Sequence, residues 1–300
     1  MSITQHVFRG ETDVPRVLDL VRKMPVACRH VIDLSWRLCS PIINEGHDAT
    51  FWENAQGQVV GFAAWQYSWA ALDFFILPGP QMQEVEAVLF SWADKRFHQR
   101  DKERGYPLPY WAEFRDDDRE RQQMLETHGF VLEVNDCYVS LHQTLVDLAP
   151  VPALPDGFLL RSLAGESEVE EFAEMHRTAF ESTAMTAEWR ARVIRTSLYR
   201  PELDLVICAP DGSFAGSCLG WFEPSRQVAQ IEPVSVHPRF QRRGLGRILL
   251  LEMLSRFQAH GASSVIIEPS SDTVAIRSAC EVVGFRKEHT ISRRGKRLSL

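Results

Sequence analysis

Four arginines, Arg239, Arg242, Arg243 and Arg247, crowd around Gly244 and Gly246 in the stretch VSVHPRFQRRGLGRILLLEML, residues 234–254. The leucine-rich run that follows reads as a helix, RILLLEMLSRFQAHG, closed by Gly261. A helix N-terminus leaves its first N–H groups unpaired and carries about half a positive charge. Glycines there let an anion approach the backbone without meeting a Cβ atom. Guanidinium groups add charge-assisted hydrogen bonds, bidentate where geometry allows. The stretch therefore has the parts of a pyrophosphate cradle. Two nucleotide loops are excluded. No Lys follows either glycine, as G-x-x-x-x-G-K-[ST] requires, and Leu249 stands where G-x-G-x-x-G needs its third glycine.

A second chemical group lies just upstream, in QIEPVSV. A strand period of two places Gln230, Glu232, Val234 and Val236 on one face, unless a bulge breaks the parity. A carboxylate in an apolar strand is costly without a partner or a task. Glu232 is thus a candidate base or substrate ligand, against the plainer reading of a solvated Glu at a strand edge.

The elements that must position these groups can be read along the second half of the chain. GFLLRSL is a strand, and GESEVEEFAEMHRTAF an amphipathic helix with acids in its first turn. LDLVICAPDGSFAGSCLGWFEP is two strands around the turn Pro210-Asp211-Gly212. VAQIEPVSV and SSVIIEP are further strands, TVAIRSACEVVGF is a helix ended by Gly284, and RKEHTISRRGKRLSL is expected to be a hairpin turning at Gly295. Antiparallel strands followed by a strand–helix–strand crossover imply an α/β domain with a mixed sheet.

The first half nearly repeats this pattern. GQVVGFAAWQ faces GSFAGSCLGW, with Gly57 against Gly212, and MLETHGFVLE faces ACEVVGFRKE, with Gly129 against Gly284; both offsets are 155 residues. SWRL at 35 also faces EWRA at 188, with an offset of 153. DLAPVPALPDG, with three prolines and a Gly, reads as a linker. The expected division is 1–147, a linker at 148–157, and 158–300.

Bulk properties suit two soluble domains of ordinary size: 300 residues, 45% hydrophobic and 24% charged. A net charge of −7 favours neither nucleic acid nor an anionic membrane surface, so any anion site must be local. The charged stretch RDDDRER (115–121) reads as a solvated helix start and RRGKR (293–297) as a solvated turn. The six scattered cysteines, Cys28, Cys39, Cys137, Cys208, Cys218 and Cys280, include no C-x-x-C pair. The opening residues have neither a basic nor an apolar signal region, and no apolar run approaches the ~20 residues of a membrane span. A cytoplasmic protein with reduced thiols is expected.

Gln241-Arg242-Arg243-Gly244-Leu245-Gly246 matches [QR]-x-x-G-x-[GA] at every specified position, and thereby resembles the phosphopantetheine cradle of the GNAT acyl-CoA N-acyltransferases. The preceding VHP (236–238) is similar to that family's lead-in, and EVVGF (281–285) to the ending of its last helix. The resemblance covers about 160 to 300 well and 1 to 145 in outline, so the chain resembles a tandem of two GNAT-like domains, each a mostly antiparallel sheet flanked by helices. The first copy, LDFFILPGPQMQEVEAVLFSW, lacks the motif and has Glu84 and Glu86 where they would repel a pyrophosphate. It resembles a degenerate copy without a CoA site.

The resemblance implies acetyl-CoA or another short acyl-CoA as co-substrate, no metal, and direct transfer to a primary amine of a small molecule or peptide. It implies cofactor binding by Val234, Val236 and Gln241 through Arg247 (Gln241, Arg242, Arg243, Gly244, Leu245, Gly246 and Arg247), with a backbone N–H at Val236 polarising the carbonyl. Arg242 and Arg243 are expected to face the pyrophosphate, Arg247 to reach it or the adenosine phosphate, and Arg239 to be solvated. Many family members place their carboxylate near Gln230; Glu232 sits two residues on. The usual acid, a Tyr, is replaced by Cys280, which is equally readable as a small buried helix residue; Ser270, Ser271, Tyr199 or water are the other candidates. His176, Phe180, Met185, Trp189 and Tyr199, with Trp221, fall in the span that covers the acceptor in the family, though His176 and Trp189 also read as packing residues. A rival expectation is an acyl-CoA-binding regulatory or scaffolding protein whose catalysis has lapsed. Oligomeric state is left open.

Overall fold

The structure, a computed structural model, describes residues 3–24, 34, 37–40, 43, 48–66 and 70–298. Cys28, and Ser35 and Trp36 of the SWRL segment, lie outside the described residues. The chain divides into two compact units, Met1–Cys137 with Thr290–Leu300, and Tyr138–His289.

The first unit contains β1 (Thr4–Val7), α1 (Val14–Arg22), β2 (Ala49–Glu53), β3 (Val59–Gln66), β4 (Ala71–Ile76), α2 (Met82–Arg104), β5 (Tyr110–Arg115) and α3 (Arg119–Thr127). Strand β6 (Val131–Thr144) then leads into the second unit, where Ser264–Ile267 pairs with its residues Leu141–Thr144. The second unit continues with β7 (Leu159–Ser162), α4 (Val169–Phe180), α5 (Ala187–Ile194), β8 (Asp204–Cys208), β9 (Phe214–Glu223), β10 (Val228–Val236), α6 (Leu245–Ala259), β11 (Ser264–Ile267) and α7 (Val274–Val283). Within it the strand order is β6-β11-β10-β9-β8-β7. All pairs in that order are antiparallel except β10–β11, which is parallel through the α6 crossover. The mixed sheet expected from the sequence is therefore present.

The two units rhyme in detail. Gly61 on β3 lies so close to α2 that a Cβ there would sit 2.3 Å from Val85 Cγ1. Gly216 on β9 packs likewise under α6, where a Cβ would sit 3.2 Å from Leu249 Cδ1 and 2.9 Å from the Ser235 carbonyl. Both positions therefore need glycine because a helix lies directly on the strand. In the second unit α6 is apolar nearly all round, burying Leu245, Ile248, Leu249, Leu250, Leu251, Met253, Leu254 and Phe257. It forms one core with Cys218, Phe222, Ala229 and Ile231 of the sheet and Cys280 and Val283 of α7. Helices α4 and α5 contribute Phe172, Met175, Trp189 and Val193 to burial on their own side.

The tail corrects one expectation. Arg286–Lys296 is a single strand, β12, not a hairpin at Gly295. Its residues Ile291–Lys296 run antiparallel along β5, which explains why Thr290–Leu300 groups with the first unit. RRGKR is correspondingly not a solvated turn: Arg293 pairs with Glu113 at 3.0 Å, Lys296 with Asp94 at 2.8 Å, and Arg294 with Glu126. RDDDRER does begin a helix, with Asp118 capping α3 by accepting from the Arg121 N–H at 3.0 Å.

Candidate active site

The arginine-rich loop joins β10 to α6. Gly244 is the N-cap of α6 and has a left-handed backbone, φ +79°, as does Arg242 at +65°. Alternating left- and right-handed residues turn successive N–H groups to one side and make an anion-binding concavity. The first helical hydrogen bond runs from the Ile248 N–H to the Gly244 carbonyl, 3.1 Å. The N–H groups of Leu245, Gly246 and Arg247 therefore have no partner in the helix. No acidic residue occupies its first turn. Arg242, Arg243 and Arg247 are exposed, and none has a carboxylate partner among the described residues. Arg239 differs, being paired with Asp211 at 2.9 Å on an exposed turn rather than merely solvated. Arg243 lies at 5.9 Å from both the Phe158 and Phe240 rings, so aromatic faces rather than an acid steady its guanidinium. Gln241 ties the loop back to β10, donating from Nε2 to the Val236 carbonyl at 3.3 Å. A net positive, acid-free N–H cradle of this kind fits a polyphosphate group.

Strand β10 carries the second group. Its register against β9 pairs Ile231 with Gly220 but Val234 with Cys218, so Glu232 and Pro233 together face one residue of the partner. This β-bulge breaks the parity that period two implies. Gln230 and Glu232 remain together, with Gln230 Nε2 donating to Glu232 Oε2 at 3.0 Å. Val234 and Val236 instead pack into the α6 core, so they do not share the face of Glu232. Ser235 takes the opposite face, where its hydroxyl meets Ser217 Oγ at 3.0 Å and Met175 Sδ of α4 at 3.5 Å.

The same register sets the backbone. His237 N–H donates to the Ala215 carbonyl, 3.0 Å, and antiparallel alternation then turns the N–H groups of Val234 and Val236 away from β9. On that side β11 pairs with β10 only as far as Gln230. Past Gln230 no ladder pairs β10 with β11 among the described residues, and the Val234 and Val236 N–H groups are turned to that unpaired side.

The α4 and α5 side holds the residues expected around the acceptor. Phe180 is half exposed (45%), but Met185, Trp189 and Trp221 are buried. Trp189 is a packing residue, and Trp221 points its Nε1–H at the Glu232 backbone carbonyl, 2.9 Å. Tyr199 donates its hydroxyl to Asp204 Oδ2 at 2.7 Å, and Asp204 is also paired with the buried Arg190, which lies over the Phe172 ring. Burial pushes the Tyr199 hydroxyl well above its usual range, and the Asp204 charge adds to this. Trp189 and Trp221 thus sit inside the packing, where large aromatics are worth most, while Tyr199 is half-buried beside Asp204. Sequence reasoning missed Arg190 and Asp204, because a buried charged pair leaves no local signal in the chain.

His176 is buried against Phe172 and Phe180, with ring centroids at 6.1 and 4.5 Å, and its Nδ1 has no partner among the described residues. Burial, helped by the nearby Arg190 and Arg177 charges, holds its pKa down to about 4. Between about pH 6.5 and 4 the unfolded chain takes up a proton that the folded chain refuses, so stability falls as pH falls through that window. The full effect is about 3 kcal/mol. Urea unfolding from pH 7 to pH 4 should show a steeper loss for the wild type than for His176→Phe; equal pH dependence of the two would contradict this.

Cys280 sits in the α6–α7 core with no exposed surface. Burial, with the Glu281 charge, pushes its thiol up to about 12. An acid that weak is poorly matched to a departing thiolate of ordinary basicity, near 8.5, which favours the reading of Cys280 as a packing residue. Cys280→Ala is expected to cost about 1 kcal/mol of stability and to leave kcat unchanged. A large fall in kcat at unaltered stability would restore the catalytic reading.

Among the described residues no helix is long and apolar enough to cross a membrane, and no cluster of His, Cys, Asp and Glu could hold a metal ion. A model described as Acetyltransferase (GNAT) family matches residues 168–285. A mycothiol acetyltransferase of Nocardia farcinica is 26% identical over 148 residues, 47% of this chain and 49% of the relative. One of Gordonia bronchialis is 30% identical over 146 residues, 45% of this chain and 47% of the relative. The matched part of the chain spans about half the length of either relative. Among solved structures, a tandem GNAT protein from the clavulanic acid biosynthesis pathway superposes with a TM-score of 0.69 at 15% identity, covering 100% of this chain and 99% of its own. A GCN5-related N-acetyltransferase from Sphaerobacter thermophilus gives 0.66 at 18% identity, covering 98% and 95%. The chain has the tandem GNAT fold, and its residues 168–285 match the model of the GNAT acetyltransferase family.

Proposed function

We propose that the second unit is an acetyl-CoA-dependent N-acetyltransferase acting on the primary amine of a small molecule or peptide, and that the first unit is a degenerate copy without a CoA site. The observation that carries this reading is the α6 N-terminus: a left-handed Gly244 cap, N–H groups unpaired within the helix, and three arginines without acidic partners among the described residues. In the first unit, α2 begins with Glu84 in its first turn, and Glu86 is engaged with His128 at 2.9 Å. That comparison supports one active site per chain. The described cysteines are free thiols, which suits action in the cytoplasm.

When bound, acetyl-CoA supplies an activated thioester carbonyl. The loop from Gln241 to Arg247 would hold its phosphates, and the Val234 and Val236 N–H groups, turned to the side of β10 left unpaired past Gln230, would bind its amide arm and polarise the carbonyl oxygen. Glu232 takes a proton from the amine, held at the end of the bulge where its side chain is partly exposed. With Cys280 buried and Tyr199 engaged by Asp204, Ser270, Ser271 or water is left as the proton source for the departing thiolate. The two relatives are named mycothiol acetyltransferases, which makes amines related to mycothiol one class of acceptor to test. Steady CoA release with any member of a panel of amines, diamines, amino sugars and peptides supports the enzyme. Binding of acetyl-CoA without turnover on the whole panel would instead support the lapsed binding protein.

A further inference from the structure

We infer that Gln230 is a positioning residue for the Glu232 carboxylate; this rests on the reading of Glu232 as the base and deepens it. Gln230 has no exposed surface, yet it lies in a strand whose neighbours Ala229 and Ile231 are apolar core residues. A buried amide is normally held by bonds at both ends. Here Nε2 donates to Glu232 Oε2, while Oε1 has no partner among the described residues. Among the described residues its side chain is thus held through the carboxylate, and an ionised carboxylate accepts only from the amide's N–H end.

The surrounding geometry gives this bond its purpose. Trp221 stands directly across from Gln230 in the β9–β10 register and donates its Nε1–H to the Glu232 backbone carbonyl at 2.9 Å. The bulge would otherwise leave Glu232 on a stretch of strand without regular ladder pairing. Trp221 fixes its backbone and Gln230 its carboxylate, so the base is held on two sides by fully buried groups. A reacting group that is misplaced by about 1 Å can lose on the order of a hundredfold in rate.

The test compares Gln230→Met, Glu232→Gln and the double variant. Gln230→Met keeps the volume, removes the N–H donor and also removes a buried unsatisfied acceptor. We expect kcat to fall about tenfold to a hundredfold, acetyl-CoA affinity to hold, and the melting temperature to stay level or rise. In the Glu232→Gln background the same change should add no further loss, because Gln230 acts through Glu232. If Glu232→Gln is inactive but Gln230→Met keeps full kcat, or if the two losses multiply, the positioning role is wrong. A lower melting temperature with unchanged kcat would assign Gln230 to stability alone. If Glu232→Gln itself keeps full activity, the base assignment fails first, and the role of Gln230 falls with it.

Discussion

Glu232→Gln is expected to lower kcat/KM by roughly 10²–10⁴-fold and to leave CoA affinity unaltered. The substitution keeps the shape of the side chain and its place beside Gln230, and removes only the charge that accepts a proton. The Gln241–Arg247 loop lies beyond the end of the same strand, tied to Val236 through Gln241, so its geometry does not depend on the carboxylate. The split between lost turnover and retained binding identifies a proton acceptor. Steady-state rates together with CoA titration will show it. Equal activity of the two proteins would remove Glu232 from the mechanism and leave water as the base.

The second large effect is expected at Gly244. A Cβ atom there would meet nothing within 4 Å, so bulk alone does not forbid a side chain. The backbone does: at φ +79° an L-residue other than glycine is strained by about 1–2 kcal/mol, and β-branched residues are the worst suited. In Gly244→Val the empty loop should relax out of the left-handed region, and restoring it on binding should weaken CoA affinity by tenfold or more, since about 1.4 kcal/mol is a factor of ten. The loss grows if the loop repacks and turns its N–H groups away. Gly244→Asn, whose residue type tolerates the left-handed region, should lose less. The order Gly, Asn, Val in affinity, with far-ultraviolet circular dichroism unchanged, is the signature of a backbone effect. Equal affinity in all three would mean that residues 241–247 do not hold the cofactor.

The second unit was legible because its elements follow local rules. β10 occupies Val228–Val236, the whole of the VAQIEPVSV run, and α6 and α7 end at the glycines that mark them. The repeat was legible for a packing reason: glycines 155 residues apart sit at equivalent places under a helix. What local rules could not give was decided by distant partners. The bulge at Glu232 moves Val234 and Val236 to the α6 side, and no glycine announces it. The basic tail is a paired strand because Glu113, Glu126 and Asp94 meet it from far along the chain. Trp221 and Gln230 look like a ligand contact and a spare polar residue in sequence. They become a support for Glu232 only when β9 and β10 are set in register.

The most direct test of the central claim is calorimetric titration of acetyl-CoA into the wild-type chain and into Gly244→Val, with ATP and NAD as competitors. The predicted result is saturable binding of acetyl-CoA at one site per chain, weakened tenfold or more by the substitution and unaffected by either nucleotide. No binding of acetyl-CoA, or saturable binding of ATP or NAD that Gly244→Val abolishes, would contradict it.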